Sequence, residues 1–257
     1  MENATVLKGG RRANRNFLAT LSELTIPQIA AGIMCFVFSR ASIFEVVRPF
    51  VPAFYVSFGF SGVSKVLALF AMILGNLLFS NFYEAMRQSL SILLFEASAH
   101  LIFNGSKRRE TAVGRAALMA ILIGITGLLR GLVQGMRIYD LIASILCTAF
   151  VFALSVAMAP AFEAFRQQKQ NFSSCGRAQF ARAVLVGIGI ISLKGLTVSG
   201  CDIGTVLAGL AVLAIARRKG SSMGALLGAL LGVVVAMYDI PSSLEIPGMF
   251  ALAGAAA

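Results

Sequence analysis

Apolar residues in this chain gather into long runs, broken at fairly regular intervals by charges, prolines or glycines. The runs are Ile26–Phe38, Pro49–Phe60, Val66–Ser80, Ser89–Phe103, Ala116–Val133, Ile138–Phe162, Ala183–Val198, Ile203–Ala216 and Ser221–Tyr238, with a tenth that begins near Ile246 and is still apolar at Ala257. A helix that crosses bilayer hydrocarbon needs about 20 such residues, with a range of roughly 17–25. The fifth, sixth and ninth runs reach that length. The first, second and eighth are shorter, and each reads as a half-helix, an interfacial segment or a span lengthened by its flanks. The expected fold class is all-α: a polytopic transmembrane helix bundle of about ten hydrophobic segments.

Charge adds an orientation. Lys and Arg concentrate on the cytoplasmic side of membrane proteins. If all ten runs cross and the N-terminus is cytoplasmic, the inner segments hold 16 of the 22 Lys and Arg. The outer segments hold four, Arg40, Arg48, Arg87 and Arg137, while Arg130 and Lys194 fall within runs. The expected organisation is therefore a basic cytoplasmic segment over residues 1–24 and a multi-spanning membrane domain over residues 25–257. The tenth run stops after about twelve residues, where a terminal carboxylate would sit in hydrocarbon. That predicts a fragment of a longer protein.

Composition agrees with lipid as the solvent. The chain is 58% hydrophobic and 13% charged, with a mean hydropathy of +0.85, against about 45–50% and about 25% for soluble domains. The net charge of +11 is spent in short clusters between apolar runs, which suits loops facing anionic lipid and argues against nucleic acid as a partner. Cys35, Cys147, Cys175 and Cys201 show neither CxxC spacing nor a neighbouring His pair, so neither disulfides nor zinc are expected. The chain has no GxxxxGK[ST], HExxH or GxSxG motif, three dispersed aspartates and one histidine. No enzyme activity and no cofactor are expected of it.

Several residues stand out as candidates. Gly220, Gly224, Gly228 and Gly232 recur every four positions and leave one helix face bare, as Gly124, Gly127, Gly131 and Gly135 do on another. Such faces allow close helix approach, either within the bundle or between copies of the chain. Glu96 lies near the middle of its run with His100 one turn later. An intramembrane pair of this kind is a proton relay or cation site, or else a buried pair that satisfies itself. Arg130 and Lys194 are placed to snorkel outward, and Asp202 and Asp239 to lie in outer turns. Arg40, Pro49 and Pro52 mark a corner at the outer face, since the prolines forbid continuous helical bonding. Glu45 and Arg48, three apart, are expected to pair there if that stretch is helical.

The corner Arg40-Ala41 followed by Pro49-Phe50 and Ala53-Phe54 resembles the early membrane signature of stage II sporulation protein E. After the basic linker Phe162–Arg182, the glycine-rich stretches Val184–Leu196, Gly204–Ala216 and Gly224–Gly232 continue the likeness, as does Ile246–Gly254, similar to the family's late alanine–glycine helix. Ser39 stands where the family pattern has glycine. The resemblance covers roughly residues 25 to 257. It implies a membrane anchor and assembly module, multi-pass in a bacterial cell membrane at the polar septum. It also implies a following cytoplasmic region that binds the tubulin-like division protein. A C-terminal metal-dependent serine/threonine phosphatase would then act on an anti-sigma-factor antagonist in sigma-factor activation. The alternative drawn from the residues alone is a small secondary transporter or permease, for which the proline corner and Glu96/His100 are the local support.

Overall fold

A computed structural model of the chain describes residues 26–43, 47–104, 111–135, 137–166, 176–198, 201–236 and 245–256. The N-terminal basic segment, Glu45, Cys175, Asp239 and the middle of the linker after residue 166 lie outside the described residues. Among the described residues there are ten helices: α1 (Ile26–Phe38), α2 (Phe50–Phe58), α3 (Val63–Phe79), α4 (Phe82–Asn104), α5 (Ala112–Val133), α6 (Ile138–Arg166), α7 (Gly176–Leu193), α8 (Ile203–Lys219), α9 (Ser221–Ala236) and α10 (Ile246–Ala256). The architecture is all-α apart from a two-residue antiparallel ladder, β1 (Thr197–Val198) with β2 (Cys201–Asp202), between α7 and α8. This ladder corrects the seventh run, which was expected to continue to Val198. A short apolar stretch does not distinguish strand from helix by pattern, and the turn at Lys194 and Gly195, with Gly195 at φ +77°, ends the helix first.

The surface is unlike that of a soluble protein, and polar side chains are found inside. Val133, Ile138 and Leu101 are 86%, 81% and 77% exposed, while Asn76, Gln88 and Ser91 are buried. Soluble folds keep large apolar patches off their surfaces, so this distribution needs a hydrocarbon surrounding. By length and composition α5 and the Ile138–Phe162 part of α6 are each able to cross a membrane unaided. α4 is 23 residues long but carries Glu84, Arg87 and Glu96 along its length. α2 spans only about 14 Å at 1.5 Å per residue, and Phe50 to Val56 are all buried, so it sits as a short helix inside the bundle.

Most helices contribute to one core, centred on Cys35, Phe38, Phe54, Tyr55, Met72, Ile92, Phe95, Met119, Ile123, Val151 and Met158. α7 faces two ways. Ile188 and Ile191 join that core, whereas Ile190 packs with Ala208 of α8, against Ala211, Leu231 and Phe250. The corner between α1 and α2 is a hairpin closed by an antiparallel bridge of Ile43 and Val47, with Pro49 capping α2. Arg48 donates from Nη1 to the Ser39 carbonyl at 3.0 Å, and the Arg40 guanidinium lies 5.6 Å from the Phe79 ring centre.

Glycine sets the closest approaches. A Cβ on Gly224 would meet Ala216 at 2.4 Å and the Gly254 carbonyl at 2.6 Å, and one on Gly228 would fall 2.2 Å from the Phe250 carbonyl. α9 is thus pressed backbone to backbone on α10. Gly232 is buried on α9, but Gly220 caps α8 at φ +95° and belongs to a turn rather than to a packing face. On α5, Gly124 and Gly127 admit Thr148 and Ser144 of α6, while Gly135 lies beyond the helix at φ +86°.

Candidate functional site

Polar side chains collect on the inward stripe of α4, in two clusters. The first lies in its first three turns, where Glu84, Gln88 and Ser91 follow at helical spacing and share one face. Arg87 donates from Nε to Glu84 Oε2 at 3.1 Å and also pairs with the other carboxylate oxygen through Nη2. Arg130, from the last turn of α5, donates from Nη1 to Glu84 Oε2 at 2.5 Å. The Glu84 and Arg87 side chains are only 7% and 8% exposed. Gln88 extends the network, donating to Glu84 Oε1 at 3.2 Å and to the Arg48 carbonyl at 3.3 Å. It also accepts from Asn76 of α3 at 2.9 Å. Ser91 and Thr126 of α5 are linked at 2.7 Å, and Arg87 Nη2 lies 4.0 Å from the Cys147 sulfur on α6. One carboxylate therefore ties α4 to α5, with the corner, α3 and α6 drawn in around it. A small cavity of about 50 Å³ opens beside it, with Asp140 and Gln134 at its edge.

This network was not singled out from the sequence. Arg130, placed by the sequence near the outer end of its helix, is 37% exposed and held by Glu84. Arg87, assigned to the segment before the apolar run, lies within α4, which begins at Phe82, seven residues before that run. The available signal was Glu84 and Arg87 three apart at the head of an apolar run, a spacing that pairs on a helix.

The second cluster lies about 18 Å further along α4, at 1.5 Å per residue. Glu96 accepts from the Tyr55 hydroxyl of α2 at 2.9 Å and from Lys65 Nζ of α3 at 2.5 Å. Arg115 lies 5.9 Å from the ring centre of neighbouring Phe95. Glu96 takes its partners from other helices and not from His100, whose side chain is exposed. The sequence pair is therefore replaced by a Tyr55–Glu96–Lys65 triad. Among the described residues no group of three or more His, Cys, Asp and Glu side chains is arranged to hold a metal ion.

Asp202, expected in a turn, ends β2 and caps α8. Its Oδ1 accepts from the Gly195 amide at 2.8 Å, and its Oδ2 accepts from the Thr205 amide at 3.2 Å and the Thr205 hydroxyl at 2.5 Å. Partial burial pushes its carboxyl up, but the Thr205 hydroxyl and the amides of Gly195, Thr205 and Gly204 outweigh it and hold the group below the usual carboxylate range. A depressed folded pKa adds stability above the unfolded value, and that stability fades as pH falls through the folded one. Protection of the Gly195 and Thr205 amides, taken from the exchange rate relative to the intrinsic rate at the same pH, should accordingly be high at pH 6 and fall below about pH 4, the unperturbed range of Asp. In Asp202→Ala protection should be low at both pH values; a pH-independent protection in the unmodified chain would refute the cap.

Comparison with known proteins bears on the whole chain. The family described as "SpoIIE, N-terminal domain" matches residues 3–257. The chain belongs to the SpoIIE N-terminal domain family. No curated protein and no solved structure matches it. Membership makes the chain a sporulation-related membrane region, in keeping with its apolar helices and lipid-suited surface. The SpoIIE N-terminal domain is not itself a phosphatase domain, so no catalytic residue is carried onto this chain by the match. Within the SpoIIE resemblance, Arg40, Pro49 and Pro52 fall at the α1–α2 corner, next to Gln88 through the Arg48 carbonyl.

Proposed function

We propose that this chain is the membrane anchor and assembly module of a sporulation serine/threonine phosphatase, held at the polar septum with its N-terminus in the cytoplasm. The observation that carries the reading is the family match along residues 3–257. The alternation of the segments between the two sides is supported by the charge bias and by how the helix ends meet. Segments assigned to the outer side, around Arg48, Glu84 and Arg130, gather in one cluster, and Lys65, Glu96 and Arg115, nearer the inner side, lie together around Tyr55 and Phe95. In this reading the chain meets lipid and further copies of itself. The tubulin-like division protein and the anti-sigma-factor antagonist are partners of the cytoplasmic regions of the parent protein.

A transport role drew its local support from Glu96 and His100, and Glu96 is instead engaged by Tyr55 and Lys65. A fluorescent fusion to the full chain, followed in sporulating cells, should gather at the polar septum. It should still do so when Glu96→Gln and His100→Gln are combined. Even labelling of the whole cell membrane by the unmodified chain would sink the anchor reading; a transporter should instead lose uptake in the double variant.

A further inference from the structure

Between α1, α2, α6 and α7 an open cavity of about 810 Å³ is floored by Phe54, Phe58, Phe60 and Phe162. The rings pack on one another, with Phe58 and Phe60 centroids 4.5 Å apart and Phe54 and Phe162 5.5 Å apart. Met34 lines one wall, and Arg182, exposed, stands at the rim. The phenylalanine floor is apolar, while Gln28, Ser61 and Ser64 add polar groups to the lining of the cavity. Its volume lies within the usual range for small-molecule sites, roughly 300–1,000 Å³. Every lining segment lies at the end of its helix that the charge pattern assigns to the cytoplasm, where the bilayer leaflet is anionic.

We infer that this cavity is a binding site for an anionic glycerophospholipid of the inner leaflet, with an acyl chain over the phenylalanine floor and the phosphate at Arg182. Apolar depth and a cationic rim match the two ends of that molecule, and basic pockets between membrane helices on the cytoplasmic side take anionic headgroups in this way. Among the described residues Arg182 has no ion-pair partner, which leaves its guanidinium for a phosphate. The inference rests on the membrane topology proposed above.

The chain contains no tryptophan, which makes a quenching experiment direct. Met34→Trp and, separately, Leu93→Trp on the lipid-facing side of α4 are placed in the full chain and reconstituted in dioleoylphosphatidylcholine vesicles. Brominated phosphatidylglycerol or brominated phosphatidylcholine is then titrated in. Both tryptophans should be quenched, but Met34→Trp should prefer phosphatidylglycerol by about fivefold, the ratio one basic side chain near the surface provides. Leu93→Trp should show no preference, and adding Arg182→Gln should abolish it at Met34→Trp. Equal affinities at both positions, or a preference that survives Arg182→Gln, overturns the lipid site. A Met34→Trp that no brominated lipid quenches also overturns it, because protein would then cover the cavity. Failure to quench Leu93→Trp would instead count against the membrane reading itself.

Discussion

Glu84→Ala should be the most damaging single substitution in the bundle, lowering stability by about 3–5 kcal/mol, the usual cost of removing one partner from a buried ion pair. The reason is the imbalance it leaves. Arg87 and Arg130 both rely on the one carboxylate, and Arg87 is buried among α4, α5 and α6, with Asp140 no closer than the edge of the small adjoining cavity. Gln88 would also lose an acceptor. The measurement uses Cys147, which is 2% exposed. In a background where the other cysteines are serine, the temperature at which a thiol-reactive dye labels Cys147 reports opening of this end of the bundle. Glu84→Ala should lower that temperature sharply. Replacing the whole triad (Glu84→Leu, Arg87→Met, Arg130→Met) should restore much of it, because apolar groups of similar volume substitute for a buried ion network without stranding a charge. An unchanged labelling temperature in Glu84→Ala would mean that the three charges are solvated and that the network carries little.

The second large effect is expected at Gly228. A leucine there directs its Cβ onto the Phe250 carbonyl, and backbone cannot swing aside as a side chain can. Overpacking of this kind costs about 1–3 kcal/mol and occasionally more, and the bundle can relieve it only by parting α9 from α10. Spin labels at Leu226 and Leu252, both exposed, should report a longer and broader distance in Gly228→Leu. Gly248→Leu, with open space around its Cβ position, should leave the distance unchanged. A Gly228→Leu distance equal to the original would rule out the close approach. The glycine face read from spacing as either internal packing or an oligomer contact has Gly224 and Gly228 covered by the chain's own α10, so a loss of assembly in these variants would first have to be separated from a loss of fold.

The helices were legible where apolar residues are continuous and their ends are marked by charge. The first run and α1 coincide at Ile26–Phe38, and the sixth and eighth begin at the first residues of α6 and α8. Legibility failed where a helix carries its polar residues inward. The start of α4 was lost because Glu84, Arg87 and Gln88 interrupt the apolar pattern, although a bundle in lipid buries such groups and exposes leucine. The same inversion hid the site. Glu96 was visible as an isolated acid in an apolar run, but its partners Tyr55 and Lys65 lie 41 and 31 positions away, and no local spacing announces a long-range contact. The Asp202 cap, by contrast, depends on Thr205 three residues on, a spacing within reach of a local reading.

The inward polar stripe of α4 has a consequence for how the chain is made. A segment bearing Glu84, Arg87 and Glu96 does not partition into hydrocarbon alone, since each central charge costs about 2.5–3.5 kcal/mol on insertion scales. Its neutralising partners arrive at different times. Tyr55 and Lys65 are already synthesised, but Arg130 and Thr126 emerge only with the end of α5. In the proposed topology, full burial of α4 would therefore wait for its successor, so that α4 and α5 would settle as a pair and membrane insertion would become a step of tertiary folding.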